Sequence, residues 1–197
     1  CDLKKGEQIL LDLIDIPDEM GVALIRAARA AGAVPIAEVR HSRLVREAMR
    51  DTGPAHATLV RDIELSRMKR MQAYIAIRGS HNASESSDVP GDRLQLYSKT
   101  LRPVLNYRVN KTKWCVLRWP TPSMAQAANM STEAFEDFYF DVCTMDYRRM
   151  AKAMAPLVRR MQRTDRVHLK GPGTDLHFSI KGIGAKRMEK LRSDVTV

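Results

Sequence analysis

Apolar and polar positions alternate in two different periods along the first 120 residues, and the pattern predicts strands separated by helices. Short apolar runs bounded by glycine, proline or charged residues predict strands at residues 7–16, 34–39, 74–78 and 113–119. A strand, a helix and a second strand in close succession predict parallel pairing. The fold class is therefore α/β, a mostly parallel sheet with flanking helices.

Apolar residues with helical spacing fill the segments between these strands. The predicted helices are residues 18–31, 42–50, 57–71, 92–110 and 123–128. Pro103 lies within the fourth of them and predicts a kink or a division into two pieces.

A long helical pattern then follows Ser131, which is a suitable N-cap. One apolar face recurs with helical spacing, and such a face predicts burial in the core. Its members are Phe135, Phe138, Val142 and Met145 and, after a break at Asp146, Met150, Met154, Leu157 and Met161. Two more strands are predicted at residues 166–170 and 176–180, on either side of a Gly-Pro-Gly turn.

The basic charge of the chain is concentrated after this break. The net charge is +10, and residues 148–170 alone carry eight basic side chains against one acidic side chain. Such a segment is typical of a surface for an acidic or nucleic-acid partner, or of a solvated helix face. The segment has no interleaved aromatic residues to stack on bases, so nucleic acid is not the expected partner.

Length and composition predict a soluble, ordered protein. A chain of 197 residues with 44% hydrophobic residues can form one full domain and part of a second. No apolar run approaches the roughly 18 residues that a membrane span needs. The chain starts at Cys1 and not at Met, so its start looks truncated, and its three cysteines lack C-x-x-C spacing, which predicts reduced thiols in the cytosol.

Few residues have the spacing of a catalytic motif. The sequence contains no H-E-x-x-H, no G-x-S-x-G and no glycine-rich phosphate loop. Asp18 and Glu19 start the first helix, where they would repel a dinucleotide phosphate. His168 and His177 can approach each other across the Gly-Pro-Gly turn, but no carboxylate pattern accompanies them, so no metal site is predicted there. The polar loop at residues 80–91 follows a strand and is either a functional loop or an ordinary surface connection.

Several segments, in this order, resemble the thermophilic metalloaminopeptidase family, which includes enzymes of the aminopeptidase T and aminopeptidase S types. They are residues 74–80, 96–99, 110–114, 118–126, 130–143 and 171–182. The resemblance extends over about residues 7–182. It implies an N-terminal α/β domain at residues 1–165, the first strands of an incomplete catalytic domain at 166–182 and a divergent basic tail at 183–197.

The resemblance also implies an activity. Members of the family are cytoplasmic exopeptidases, usually dimeric, that remove N-terminal residues from peptides with two divalent metal ions such as Zn²⁺ or Co²⁺. Their ligands are glutamates, histidines and an aspartate in a C-terminal half that this sequence does not include. No catalytic residue or metal ligand is therefore assigned, no metal is expected on this fragment, and the fragment is expected to be inactive alone.

Three residues at the exit of the fourth strand are the candidates for a position beside the substrate cleft. Pro120 and Pro122 restrict the backbone there, so Arg118, Trp119 and Thr121 are held rigidly. The alternative to a peptidase fragment is a non-catalytic module that uses the basic helix for binding, or a module for dimerisation.

Overall fold

The four strands predicted in the first part of the chain form one all-parallel sheet. They are β1 (Gln8–Ile14), β2 (Val34–Arg40), β3 (Ala73–Arg78) and β4 (Lys113–Arg118), in the spatial order β2-β1-β3-β4. The structure is a computed structural model that describes residues 1–185, so most of the predicted basic tail lies outside the described residues. The parallel pairing confirms the predicted α/β class.

Six helices accompany the sheet: α1 (Asp18–Ala30), α2 (Ser42–Arg50), α3 (Pro54–Met68), α4 (Gly91–Lys111), α5 (Pro122–Ala127) and α6 (Thr132–Cys143). Helix α3 begins three residues earlier than predicted, at Pro54, because proline is favoured at the first helical position. Pro103 lies inside α4, which continues as a single helix.

Both faces of the central strand β1 are buried, which explains its nearly continuous apolar sequence. On one face, Ile9 and Leu11 belong to a core cluster that includes Ala28 of α1. On the other face, Leu10 packs in a cluster with Met68 of α3 and Tyr74 of β3. The sheet is thus covered by helices on both sides.

The predicted apolar face after Ser131 is buried only in part. Ser131 caps α6 as predicted, since its Oγ accepts a hydrogen bond from the amide of Ala134 at 3.3 Å. Phe135 is 8% exposed, whereas Phe138 and Val142 are 55% and 45% exposed. Met145, Leu157 and Met161 are likewise 42%, 56% and 42% exposed. The prediction of burial was wrong for these five residues, because helical spacing identifies an apolar face but not whether a neighbour covers it.

A second compact unit begins at Thr144. Its helix α7 (Tyr147–Arg163) starts at the predicted break, where the carboxylate of Asp146 accepts hydrogen bonds from the amides of Arg148 and Arg149. These amide bonds lower the pKa of Asp146. An antiparallel hairpin follows, formed by β5 (Arg166–Gly171) and β6 (Thr174–Ser179), as the sequence predicted.

The catalytic-domain role of this hairpin stays a prediction, as do the predicted domain boundaries. Among residues 1–185, no helix has both the length and the apolar character required to cross a membrane.

Candidate functional site

In the parallel sheet, the edge at the carboxyl ends of β1 and β3 is the expected position of a ligand site. The chain leaves β1 towards β2 on one side and leaves β3 towards β4 on the other. In open α/β sheets, ligands bind beside the carboxyl ends of strands at such a reversal of direction. The residues that follow β1 and β3 there are Asp15 and Gly79.

The Asp15 carboxylate is used to hold the start of α2. Its side chain is 2% exposed, accepts a hydrogen bond from the Ser42 amide at 3.1 Å, and lies 3.3 Å from Nδ1 of His41. Burial alone would raise the pKa of Asp15, but the hydrogen bonds from Ser42 and His41 lower it below its usual value. Asp15 is therefore a structural anion in this arrangement.

Gly79 closes the space between the two strand ends. Its amide donates a hydrogen bond of 2.7 Å to the carbonyl of Ile14. A Cβ atom at position 79 would lie 2.0 Å from the carbonyl oxygen of Asp15, so only glycine fits. The backbones that follow β1 and β3 are therefore in direct contact at this point.

The loop at residues 80–91 is fastened at both ends. The Ser123 hydroxyl donates a hydrogen bond of 2.6 Å to the carbonyl of Ser80. Farther along, Asp88 pairs with Arg46 of α2, with 2.8 Å between Oδ1 and Nε. The loop is therefore tied to α5 and α2, which favours a structural connection for its ends.

The three predicted cleft residues lie at the last position of β4 and just after it, and they differ in exposure. The Arg118 side chain is exposed, and its carbonyl accepts a hydrogen bond of 2.8 Å from the hydroxyl of Tyr139. Trp119 is half-buried and meets the ring of Phe140 edge-on, with 5.8 Å between centroids. Thr121 is 4% exposed, and its hydroxyl lies 3.0 Å from that of Ser123. Their role beside a cleft stays a prediction.

A second polar site, missed by the sequence analysis, lies against the sheet beneath α3 and α4. It is a cavity of about 170 Å³ whose lining includes Asp12, Arg40, Arg67, Tyr74 and Arg108. Asp12 is 3% exposed and pairs with Arg40 at 2.6 Å between Oδ1 and Nη2. In the sequence, the only indication of this site is Asp12, the single carboxylate within the apolar run of β1.

A third polar cluster lies on the hairpin and contains the two histidines that the sequence analysis brought together. The rings of His168 and His177 are stacked, with centroids 3.9 Å apart and planes inclined by 18°. Asp175 Oδ1 lies 2.9 Å from Nε2 of His168 and 3.3 Å from Nε2 of His177. The carboxylate was overlooked because the last strand was predicted to begin only at residue 176, whereas Asp175 belongs to β6.

These three side chains do not fit a pair of metal ions. Within the part of the chain that the structure describes, they are the one group of three or more histidine, cysteine or acidic side chains close enough to share a cation. A two-metal centre needs ligands for both ions, so three donors are too few. They are sufficient for one ion with an open coordination position.

Comparison with known proteins assigns the chain to a protein family. The profile of the thermophilic metalloprotease family (M29) matches residues 1–184, and the chain belongs to this family. A similar solved structure is wild-type AmpT from Thermus thermophilus, with a TM-score of 0.63 and 18% sequence identity. The similarity covers 90% of this chain and 49% of AmpT, so the chain spans about half the length of that protein. No curated protein matches the chain.

Proposed function

We propose that this chain is the N-terminal part of a metal-dependent aminopeptidase, which removes N-terminal residues from peptides. The family match over residues 1–184 is the observation that carries the proposal. The similarity of fold to AmpT supports the same architecture.

The chain alone is inactive in this proposal. Peptide hydrolysis by a metal pair requires ligands that position both ions and a water molecule between them. The described residues offer one group of three donor side chains, which falls short of such a centre. The ligands of the metal pair, Zn²⁺ or Co²⁺, are contributed by a part of the enzyme that is not included in residues 1–185.

The α/β domain then serves as a wall of the peptide cleft. Of the three cleft residues, Arg118 has the exposed side chain and is the one available to a carboxylate or carbonyl group of a peptide. Trp119 and Thr121 are half-buried and buried, so they would set the position of this strand exit.

The enzyme is proposed to be a cytoplasmic dimer. Reduced thiols fit this compartment, and burial raises the pKa of Cys115, which makes that thiol less reactive. The exposed apolar side chains of Phe138 and Val142 support a protein interface on α6.

Two measurements test the proposal. The chain, incubated with Zn²⁺ or Co²⁺ and an aminoacyl nitroanilide, is expected to release no nitroaniline; metal-dependent turnover would contradict the inactivity of the part. Reading the gene beyond Val197 in all three frames is expected to reveal glutamate, histidine and aspartate ligands. A downstream sequence without such ligands in any frame would contradict the assignment to an active aminopeptidase.

The alternative of a non-catalytic binding module predicts a different result. Helix α7 carries Arg159, Arg160 and Arg163 near its end. A module that binds nucleic acid through them would show affinity that falls steeply with salt concentration, measured by fluorescence anisotropy with a labelled oligonucleotide. The peptidase proposal expects no such binding at physiological salt.

A further inference from the structure

We propose that the β5–β6 hairpin binds a single divalent transition-metal ion through His168, Asp175 and His177. This site would be separate from the metal pair of the proposed peptidase, and its three ligands all lie in the second compact unit. The inference does not depend on the proposed function, because it concerns metal binding and not hydrolysis.

The register of the hairpin brings the three side chains to one face. His168 and His177 are directly opposite each other in the antiparallel ladder. Side chains alternate between faces along a strand, so Asp175, two residues before His177, lies on the same face. Directly opposed residues in such a pair have Cβ atoms about 5 Å apart, which is within reach of a shared ligand.

The distances between donor atoms match one coordination sphere. Asp175 Oδ1 is 2.9 Å and 3.3 Å from the two Nε2 atoms, and all three donor atoms lie within 4.8 Å of one another. Ligands in a tetrahedral zinc site, at about 2.0–2.1 Å from the ion, are roughly 3.4 Å apart. The stacked imidazole rings must turn towards each other to share an ion.

The side chains have the freedom to make this turn. The His168, Asp175 and His177 side chains are 45%, 58% and 71% exposed, respectively. The exposure also gives an ion a direct path from solvent and leaves room for water ligands.

The donor set defines the kind of ion. Two imidazole nitrogens and one carboxylate suit Zn²⁺, Co²⁺, Ni²⁺ or Cu²⁺, whereas Mg²⁺ and Ca²⁺ prefer oxygen ligands alone. Lys170 is directly opposite Asp175 in the ladder, and its positive charge opposes a cation there. We therefore expect an exchangeable ion and not one that survives a chelator.

Binding would join the two strands near the middle of their ladder, where His168 is opposite His177. A two-stranded hairpin has little stability of its own in water. An ion that binds only the paired strands stabilises them in proportion to its affinity and concentration. The inferred function of the site is thus to order the hairpin when metal is present.

The first experiment measures binding to the full chain after removal of metal with EDTA. Titration with ZnCl₂ in a calorimeter is expected to give one saturable site. The same protein titrated with CoCl₂ should develop visible d–d absorption without the near-ultraviolet thiolate band that a cysteine ligand produces. Absence of saturable binding of both ions, or a thiolate band at one equivalent, would overturn the proposal.

Matched variants assign the ligands. His168→Gln and His177→Gln are each expected to weaken binding by at least about tenfold, since even the loss of a residue that only supports a ligand costs that much. His81→Gln removes an exposed histidine of the first unit and should leave affinity unchanged. Equal affinity in all three variants would overturn the assignment.

A residue-resolved measurement on the unmodified chain avoids the possibility that a substitution itself disturbs the hairpin. In the unmodified chain, ¹⁵N-labelled histidine rings are followed by NMR during the addition of ZnCl₂. We expect large shifts of the ring nitrogens of His168 and His177 at one equivalent, with His41, His56 and His81 unaffected. Shifts confined to the latter three would contradict the site.

Discussion

The Tyr74 hydroxyl donates a hydrogen bond of 2.6 Å to Oδ2 of Asp12, a carboxylate that is buried in the middle of the parallel sheet. Arg40 also binds this carboxylate, since its Nε donates a hydrogen bond of 3.0 Å to Oδ1 of Asp12. The Arg108 guanidinium lies 4.7 Å above the centre of the Tyr74 ring. The cluster thereby connects β1, β2 and β3 through polar contacts inside a largely apolar core.

The first prediction concerns Asp12. Replacing it in Asp12→Ala leaves the Arg40 charge and the Tyr74 hydroxyl without their shared partner. Because the Arg40 side chain is 35% exposed, water can replace part of the lost interaction, and we expect a cost of about 1–3 kcal/mol and not the larger cost of a fully buried pair. We expect the free energy of unfolding, measured with urea, to fall by that amount. Asp62→Ala, at an exposed ion pair, should change it by less than about 1 kcal/mol. Equal effects of the two substitutions would contradict a structural role for the buried cluster.

The second prediction concerns Tyr74. Burial, followed by the adjacent Asp12 carboxylate, raises the pKa of Tyr74 above its usual value. Burial also raises the pKa of Tyr97 and of Tyr139. An ultraviolet titration should therefore show a late-ionising component to which several tyrosines contribute, and Tyr74→Phe should reduce its amplitude by the contribution of one tyrosine. The same substitution should lower the free energy of unfolding by about 1–3 kcal/mol, since a hydrogen bond to a charged group is lost. An unchanged amplitude of the late component in the variant would contradict the assignment.

The third prediction concerns the contact between Gly79 and Asp15. Gly79→Ala places a methyl group against the Asp15 carbonyl, and overpacking of this kind costs about 3 kcal/mol or more where the backbone must move. Gly91→Ala is the matched control, because an added Cβ there meets nothing within 4 Å at the start of α4. Thermal unfolding should show a large loss for the first variant and no loss for the second. A similar melting temperature for both would contradict the close approach.

The fourth prediction concerns the pH dependence of stability. Because the pKa of Asp15 is lowered in the folded protein, its ionised form contributes stability above the pKa of the unfolded chain. This contribution is lost as the pH falls through the lowered pKa of the folded state. The difference in unfolding free energy between the unmodified chain and Asp15→Asn should therefore be largest near neutral pH and shrink in acid. A difference that is constant with pH would contradict the role of the charge.

The strands were predictable from the sequence because each is a short apolar run with a clear boundary. The pairing of Asp12 with Arg40 and Tyr74 was not, since these partners are 28 and 62 residues away along the chain and meet only when the strand order is known. The histidine pair of the hairpin was anticipated from the turn. The carboxylate that accompanies this pair could not be predicted without the register of the hairpin, because Asp175 becomes a strand residue only when Gly171 pairs with Thr174.

The exposure of apolar residues on α6 could not be predicted from the sequence either. Phe135 and Phe138 both fit a helical apolar face, and nothing in their spacing distinguishes the buried ring from the exposed ring. The family resemblance was predicted from short segments and is confirmed by the match over residues 1–184. The positions of Arg118, Trp119 and Thr121 are now defined, while their role at a cleft stays a prediction.

The central place of β1 has a consequence for biosynthesis. This strand leaves the ribosome before the other strands of its sheet, yet its neighbour β3 begins at Ala73 and the sheet is complete only after Arg118. Until then, the apolar side chains on both faces of β1 lack most of their final neighbours, and exposed surface of this kind makes a nascent chain prone to aggregation. Chaperone binding to short nascent chains that end before Ala73 should therefore centre on Gln8–Ile14 and decrease once β3 has emerged.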